Sequence, residues 1–161
     1  MKYEIHKLLL RNAYVMYATF DFENEAEVKE VSDMLDIPID CKDIQNSLAF
    51  CRFDGALQSS EDKSIAHRCY LVAFSDHTTH GEMAHECLHL VQELLYSINA
   101  AQPEACPKSY EISSELTAYL LMEITNQAAG FCKNKGVEIR YASEHKFKPI
   151  YPVQETFVYN D

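Results

Sequence analysis

The sequence predicts a single α+β domain in which helices pack on one face of a small mixed sheet. The chain has 161 residues, of which 47% are hydrophobic, enough to build one core. Its first half carries short runs rich in β-branched and aromatic residues, which are typical of strands. Its second half carries two long segments with apolar residues three or four apart, which indicate helices. The predicted domain spans residues 1–161, with 136–161 as a C-terminal tail that wraps it.

The predicted strands lie mainly in the first half of the chain. The run AYVMYATF at residues 13–20 is rich in strand-forming side chains, and residues 3–10 are read as a first hairpin arm. The run LAFCRF at residues 48–53 is followed by Asp54-Gly55, a pair typical of a turn. After a polar loop, the apolar run RCYLVAFS at residues 68–75 is the strongest strand signal.

Three helices are predicted from capping residues and apolar spacing. Asn24 and Glu27 resemble a capping box that opens a helix to about Leu35, and Thr79 and Glu82 open another to about Ile98. The inward stripe of this second helix is expected to combine Ala84, Cys87, Leu88, Val91, Leu94 or Leu95, and Ile98. A third helix is expected at about residues 109–131, with inward-facing Ile112, Leu116, Tyr119 and Met122.

Charge and composition argue against several classes of protein. The net charge of −11 repels phosphate backbones, so no nucleic-acid partner is expected. No apolar run approaches the roughly 18 residues of a membrane span, and charges interrupt the N-terminus where a signal peptide needs apolar residues. The six cysteines form no CxxC pair and are expected to be reduced thiols. These features predict a cytoplasmic protein, while its oligomeric state is not indicated.

The segment His85-Glu86-Cys87-Leu88-His89 matches H-E-x-x-H and falls on a predicted helix. Residues four apart lie one turn apart on the same face, so both imidazoles can reach one ion. Zinc favours such nitrogen donors and lowers the pKa of its bound water toward about 7. We therefore expect one zinc ion per chain at His85 and His89. The competing interpretation is a surface helix that bears two solvated histidines.

A third protein ligand is expected from the next helix. Glu115 interrupts its predicted apolar face, where an unpaired carboxylate would be costly and a bound cation would offset that cost. Glu111, Glu123 and His80 are alternative ligands, and Glu115 could instead be a helix carboxylate with its end in solvent. Cys87, between the motif histidines, is expected to be a small buried residue rather than a ligand.

The H-E-x-x-H motif followed by Glu115-x-x-x-Tyr119 on the next helix resembles the gluzincins, the thermolysin-like zinc peptidases. The short chain is most similar to small single-domain zincin-like proteins of phages and mobile elements. This resemblance covers about residues 68–122 and implies a minimal zincin-like fold. It implies that Glu86 is the general base, and that Tyr119 stabilises the oxyanion, with His80 and His77 as alternatives. It also implies a cleft bordered by the strand at residues 69–74, and Asp76 is a further candidate to orient a ligand histidine.

Two functions follow as expectations. The first is a zinc-dependent metallopeptidase, a hydrolase that cleaves a protein or peptide substrate in the cytoplasm with zinc-activated water and Glu86 as base. The alternative is a zincin-fold metal-binding regulatory or interaction protein without peptidase activity. An intact Glu86 favours the peptidase, because a purely structural site gains nothing from a base at that position.

Overall fold

A computed structural model of the protein describes residues 1–8, 13–58, 66–97 and 107–139, with the backbone alone for 107–114. Strands and helices are both present, which confirms the predicted α+β class. In chain order the elements are β1 (Lys2–Lys7), β2 (Ala13–Thr19), α1 (Glu25–Leu35), α2 (Cys41–Ile44), β3 (Ala49–Gln58), β4 (Ala66–Phe74), α3 (His80–Ser97) and α4 (Pro107–Lys135). The proposed tail falls almost entirely outside the described residues, and the short helix α2 was not expected.

The four strands form one mixed sheet in the order β1-β2-β4-β3. The two central strands, β2 and β4, run parallel, whereas β1 pairs antiparallel with β2 and β3 pairs antiparallel with β4. The mixed sheet is therefore as predicted, and the expected first hairpin arm is confirmed as β1. Because β2 and β4 are each paired on both sides, β1 and β3 are the edges of the sheet in the described part of the chain.

Helices cover both faces of the sheet, so the prediction of helices on one face was wrong. Alternate residues of β2 face opposite ways, and nearly all of them are buried. Val15 and Tyr17 join a core with α3 and α4, whereas Met16 and Ala18 join a second core with α1. A near-continuous apolar run, as in β2 and β4, is the pattern of a strand buried on both faces.

The N-terminus of α3 is fixed by the predicted capping box. The Thr79 hydroxyl accepts from the Glu82 amide at 3.3 Å, and the Glu82 carboxylate accepts from the Thr79 amide at 2.8 Å. The core-facing stripe is rotated slightly from the prediction, because Leu88 is 36% exposed and Met83 and Leu90 are buried. The buried residues of α3 are Met83, Cys87, Leu90, Val91, Leu94 and Leu95.

The capping of α1 confirms half of the predicted box. The Asn24 side chain accepts from the Ala26 and Glu27 amides, as an N-cap residue does. The Glu27 carboxylate, however, accepts from the Asp21 amide at 3.0 Å, outside the Asn24–Glu27 pair. The predicted core face of α1 is confirmed, since its buried residues are Val28, Val31 and Leu35.

Helix α4 is longer than predicted, and its core-facing stripe agrees only in part with the predicted one: Leu116 packs against the core, whereas the Ile112 side chain lies outside the described part. Tyr119 is 63% exposed and Met122 is 56% exposed, so their predicted inward orientation was wrong. Two stripes of this helix have apolar residues three or four apart. The stripe with Tyr119 and Met122 is exposed, and the second stripe packs on the core. Its buried residues include Leu120, Ile124, Ala128, Phe131 and Cys132.

The Asp54-Gly55 pair forms a bulge within β3 and not the predicted turn. The strand continues to Gln58, and its register against β4 shifts between Arg52 and Gly55. A β-carbon at Gly55 would lie 2.5 Å from the carbonyl oxygen of Cys69, closer than any side chain tolerates. Glycine is therefore required here by the close approach of two backbones.

The sequence predicts reduced cysteines and no membrane-spanning segment. Five cysteines are free thiols in the part of the chain that the structure describes: Cys41, Cys51, Cys69, Cys87 and Cys132. Cys106 lies outside it. Within the same ranges, no helix combines the length and the apolar character that crossing a bilayer requires.

We expect Gly55→Ala to destabilise the protein by about 1–3 kcal/mol, because its methyl group would overlap the Cys69 carbonyl oxygen. The midpoint of thermal unfolding should fall by roughly 2–10 °C, measured by circular dichroism. Gly130→Ala is the matched control, since a β-carbon there meets nothing within 4 Å and alanine favours the helix. Equal stability of Gly55→Ala and the wild type would contradict the close approach.

Candidate metal centre

Helix α3 brings His85 and His89 together on its exposed side. Their Nε2 atoms lie 2.9 Å apart, and their ring centroids are separated by 4.5 Å with an interplanar angle of 87°. Each lies two residues from the buried Cys87, hence roughly 160° away from it around the helix axis. Both rings are exposed. The two nitrogens are thus directed toward a common point away from the core.

This pair fits the first two positions of a zinc site. With Zn–N bonds of about 2.0–2.1 Å and tetrahedral angles, two ligand nitrogens lie roughly 3.3 Å apart. The observed 2.9 Å is slightly shorter, and a small rotation of either exposed ring would restore that spacing. Without a metal, one neutral imidazole can donate its N–H to the other. An ion would replace that shared proton.

Glu86 lies on the side of α3 that faces strand β3. It is one residue from Cys87, so its side chain projects roughly 100° from the direction of the core. It is half-buried, and burial together with the nearby Glu86 carboxylate raises the pKa of the Cys51 thiol on β3. This placement suits a carboxylate beside an ion held by His85 and His89, and not a ligand in line with them.

Cys87 is a core residue, as the sequence predicted. Its side chain is fully buried against α4, and burial raises the pKa of its thiol to about 12. Such a thiol stays protonated at neutral pH, whereas zinc binds the thiolate. Cys87 therefore contributes packing to the site and no ligand.

Glu115 and Tyr119 are the two candidates on α4, and Glu115 does not join the histidines in a group of ligands among the described residues. Both side chains are exposed on α4, so the argument that Glu115 is a buried carboxylate was wrong. Among the described residues, no group of three His, Cys, Asp or Glu side chains is placed to hold a metal ion. The described structure therefore brings together two candidate metal ligands, His85 and His89. Of the alternatives, Glu123 is half-buried on α4 and its carboxylate accepts from Gln127 at 3.3 Å, whereas the Glu111 side chain lies outside the described part.

The remaining candidates lie upstream of the motif. Asp76 and His77 line a cavity of about 350 Å³ at the carboxyl ends of β2 and β4, together with Phe20 and Phe22. His80 is exposed at the first residue of α3. None of the three joins His85 and His89 in a group of metal-ligating side chains in the described ranges.

The strand expected to border the cleft is not available for pairing. Residues 69–74 belong to β4, which is paired with β2 on one side and β3 on the other. The edge strand beside α3 is β3. Sequence reasoning missed this edge, because strand pairing joins residues that are distant in the chain.

We expect the wild-type protein to bind about one zinc per chain after removal of metal by a chelator and reloading. Zinc at 100 times its Kd should raise the thermal midpoint by roughly 5–10 °C, because it binds only the folded state. His85→Ala and His89→Ala should each abolish both effects, measured by elemental analysis and calorimetry. His77→Ala is the control and should retain zinc. A wild type that takes up no zinc would contradict the site.

Comparison of the chain with protein-family models, with curated proteins and with solved structures finds no match. The resemblance to gluzincins thus rests on the motif residues themselves. Of those residues, the described structure places His85, Glu86 and His89 on one turn of α3 and leaves Glu115 and Tyr119 on the exposed side of α4.

Proposed function

We propose that the protein is a zinc-dependent metallopeptidase. The observation that carries this proposal is the convergence of the His85 and His89 Nε2 atoms to 2.9 Å, with Glu86 on the same helical turn. Two imidazoles supply the nitrogen donors that zinc prefers, and the adjacent carboxylate supplies a base. A site that only held a metal would have no use for the second of these features.

Zinc, when bound, would lower the pKa of a water molecule and polarise the carbonyl group of the scissile peptide bond. His85 and His89 would hold the ion at the exposed side of α3. Glu86 accepts a proton from the attacking water and then passes it to the leaving amine. Its half-buried position, on the helical turn that carries the histidine pair, limits its contact with bulk solvent.

The edge of β3, which no described strand pairs, supports a protein or peptide as the substrate class. An extended peptide can add to an exposed sheet edge through main-chain hydrogen bonds. Strand β3 packs against α3, and burial together with the nearby Glu86 carboxylate raises the pKa of the Cys51 thiol on that strand. A segment paired along β3 would therefore pass next to the general base.

Glu115 remains our proposed third ligand, and Tyr119 the proposed donor to the oxyanion. Both lie on α4, which packs against α3. They are four residues apart and hence on one face of their helix. Because both side chains are exposed, they can change rotamer without disturbing the core. A hydroxyl that reaches the developing oxyanion would stabilise the transition state.

We propose the cytoplasm as the compartment of this activity. The free thiols of the described cysteines suit a reducing environment. The net charge of −11 disfavours nucleic acid as a partner and leaves a protein or peptide as the expected one.

Glu86→Gln should retain zinc and lose cleavage of a diverse peptide mixture by about 100-fold or more, because the amide cannot accept the proton from water. Mass spectrometry of the peptides measures cleavage, and elemental analysis measures zinc. Glu93→Gln is the matched control, since it removes one carboxylate from the same side of α3 two turns further on. Zinc-loaded wild type that cleaves nothing in peptide mixtures or cell lysates would favour the metal-binding regulatory protein instead.

Glu115→Gln should weaken zinc binding by at least about tenfold, because it replaces an anionic ligand by a neutral amide of the same shape. Competition with a chromogenic chelator measures the affinity. Glu123→Gln is the comparison on the same helix and should leave the affinity unchanged. A loss of affinity in Glu123→Gln alone would assign the third ligand to Glu123, and no loss in either would assign it to Glu111 or His80.

A further inference from the structure

Strand β1 forms the edge of the sheet opposite to β3, and no described strand pairs with its outer side. Its ladder with β2 is regular over all six residues, whereas the ladder of β3 shifts between Arg52 and Gly55. The sequence of β1 contains no proline or glycine that would interrupt further pairing. An unbroken edge of this kind can accept another strand along its full length.

The main-chain groups of alternate β1 residues point to the outer side of the sheet. The Leu8 amide, directly after the strand, donates to the Ala13 carbonyl oxygen of β2 at 3.0 Å. The main chain of Leu8 is therefore directed toward β2. Inward and outward groups alternate along an edge strand of an antiparallel ladder. The amides and carbonyls of Tyr3, Ile5 and Lys7 are thus directed outward, where they can bond a further strand.

The same strand carries apolar side chains that the fold leaves exposed. Tyr3 is 41% exposed and Ile5 is 37% exposed. They pair with Ala18 and Met16 of β2, which α1 buries on that face of the sheet. The core under α1 therefore ends before it covers β1. A strand added to this edge would remove both side chains from water, which favours association.

Strand β1 is held in place by the end of α4. Lys2 Nζ donates to the Lys135 carbonyl oxygen at 2.8 Å, and Lys135 Nζ lies 3.5 Å from the Glu4 carboxylate. The same carboxylate lies 3.4 Å from the His6 imidazole, so Glu4 and His6 lie together on the α4 side of the sheet. These contacts order the strand before any partner binds, so pairing costs little further conformational entropy.

The side chains of β1 are complementary to those of a second copy. A symmetric antiparallel pair is centred on one residue, because opposed side chains share a face of the sheet. Centring on Ile5 sets Glu4 of each copy opposite His6 of the other. It also sets Tyr3 opposite Lys7 and opposes no like charges. Centring on Glu4 pairs the same number of strand residues but opposes two carboxylates at the axis, which is destabilising.

We propose that two copies of this chain associate through β1 into a dimer whose sheet continues across the interface, with four strands from each copy. The two Ile5 residues meet at the symmetry axis. The three outward-facing residues of each copy make about six main-chain hydrogen bonds in all. Each copy uses the same edge, so the contact closes at two chains. Helix α3 packs against β3 at the far edge, so the two histidine pairs lie at opposite ends of the dimer.

The first experiment measures association of the full chain by sedimentation equilibrium, with a reductant and a chelator present. The chelator is needed because the exposed His85 and His89 of two copies could share one zinc ion. We expect mainly monomer at about 5 µM and mainly dimer at about 500 µM, since a contact centred on one strand pair is small. A chain that stays monomeric across this range would overturn the proposal.

Charge reversal tests which residues are opposed. His6→Glu and Glu4→Lys should each weaken association by at least about tenfold, because either change removes both Glu4–His6 pairs. An equimolar mixture of the two variants should dimerise again, since the two reversed positions face each other in the mixed dimer. Gln58→Glu is the matched control, which adds one negative charge to the exposed end of the other edge strand. A mixture that stays monomeric, or equal weakening by Gln58→Glu, would overturn the pairing.

Disulfide crosslinking tests the register without changing any charge. Under mild oxidation, Ile5→Cys should give at least about fivefold more disulfide-linked dimer than Tyr3→Cys, because opposed residues have Cα atoms about 5.5 Å apart. The two copies of residue 3 lie about 14 Å apart in this register, too far for a disulfide. Wild type shows the crosslinking due to the natural cysteines, and non-reducing electrophoresis measures all three chains. Equal crosslinking by Tyr3→Cys, or none above wild type by Ile5→Cys, would overturn the interface.

Discussion

The burial of one stripe of α3 against the sheet is the constraint on which the candidate site depends. Once Met83, Cys87 and Leu90 are buried, the rotation of the helix about its axis is fixed. The histidines that flank Cys87 must then project away from the core, and the glutamate next to it must project sideways toward β3. The Thr79–Glu82 box adds a fixed starting point, so neither the register nor the rotation of the helix can drift.

The same packing gives three sides of α3 different surroundings. The buried side packs against the core, the exposed side carries two nitrogen donors, and the side toward the edge strand carries the half-buried Glu86 carboxylate. Helix α4 packs on the core, and strand β2 also binds it through the Tyr17 hydroxyl. That hydroxyl lies 3.2 Å from the Ile124 carbonyl oxygen and 3.2 Å from Gln127 Oε1. The sheet therefore serves as a rigid base on which both helices are positioned.

Local features of this protein could be predicted from its sequence, and features that depend on distant contacts could not. The Thr79–Glu82 cap and the His85–His89 pair involve residues three and four apart, so helical geometry alone determines them. The rotation of α4 was missed because two of its stripes are apolar enough, and only the sheet selects the one with Leu120 and Ile124. Likewise, no local pattern indicates that α1 covers the second face of the sheet.

The bulge at Asp54 and Gly55 has a consequence for how the protein behaves at high concentration. An exposed strand edge is a template on which chains of other molecules can add, which leads to aggregation. The register shift after Arg52 interrupts the regular ladder of β3, and Arg52 and Asp54 place a charged pair at the interruption. The ladder of β3 is thus divided into two regular runs, residues 49–52 and 55–58, and a break of this kind disfavours the growth of a continuous intermolecular sheet.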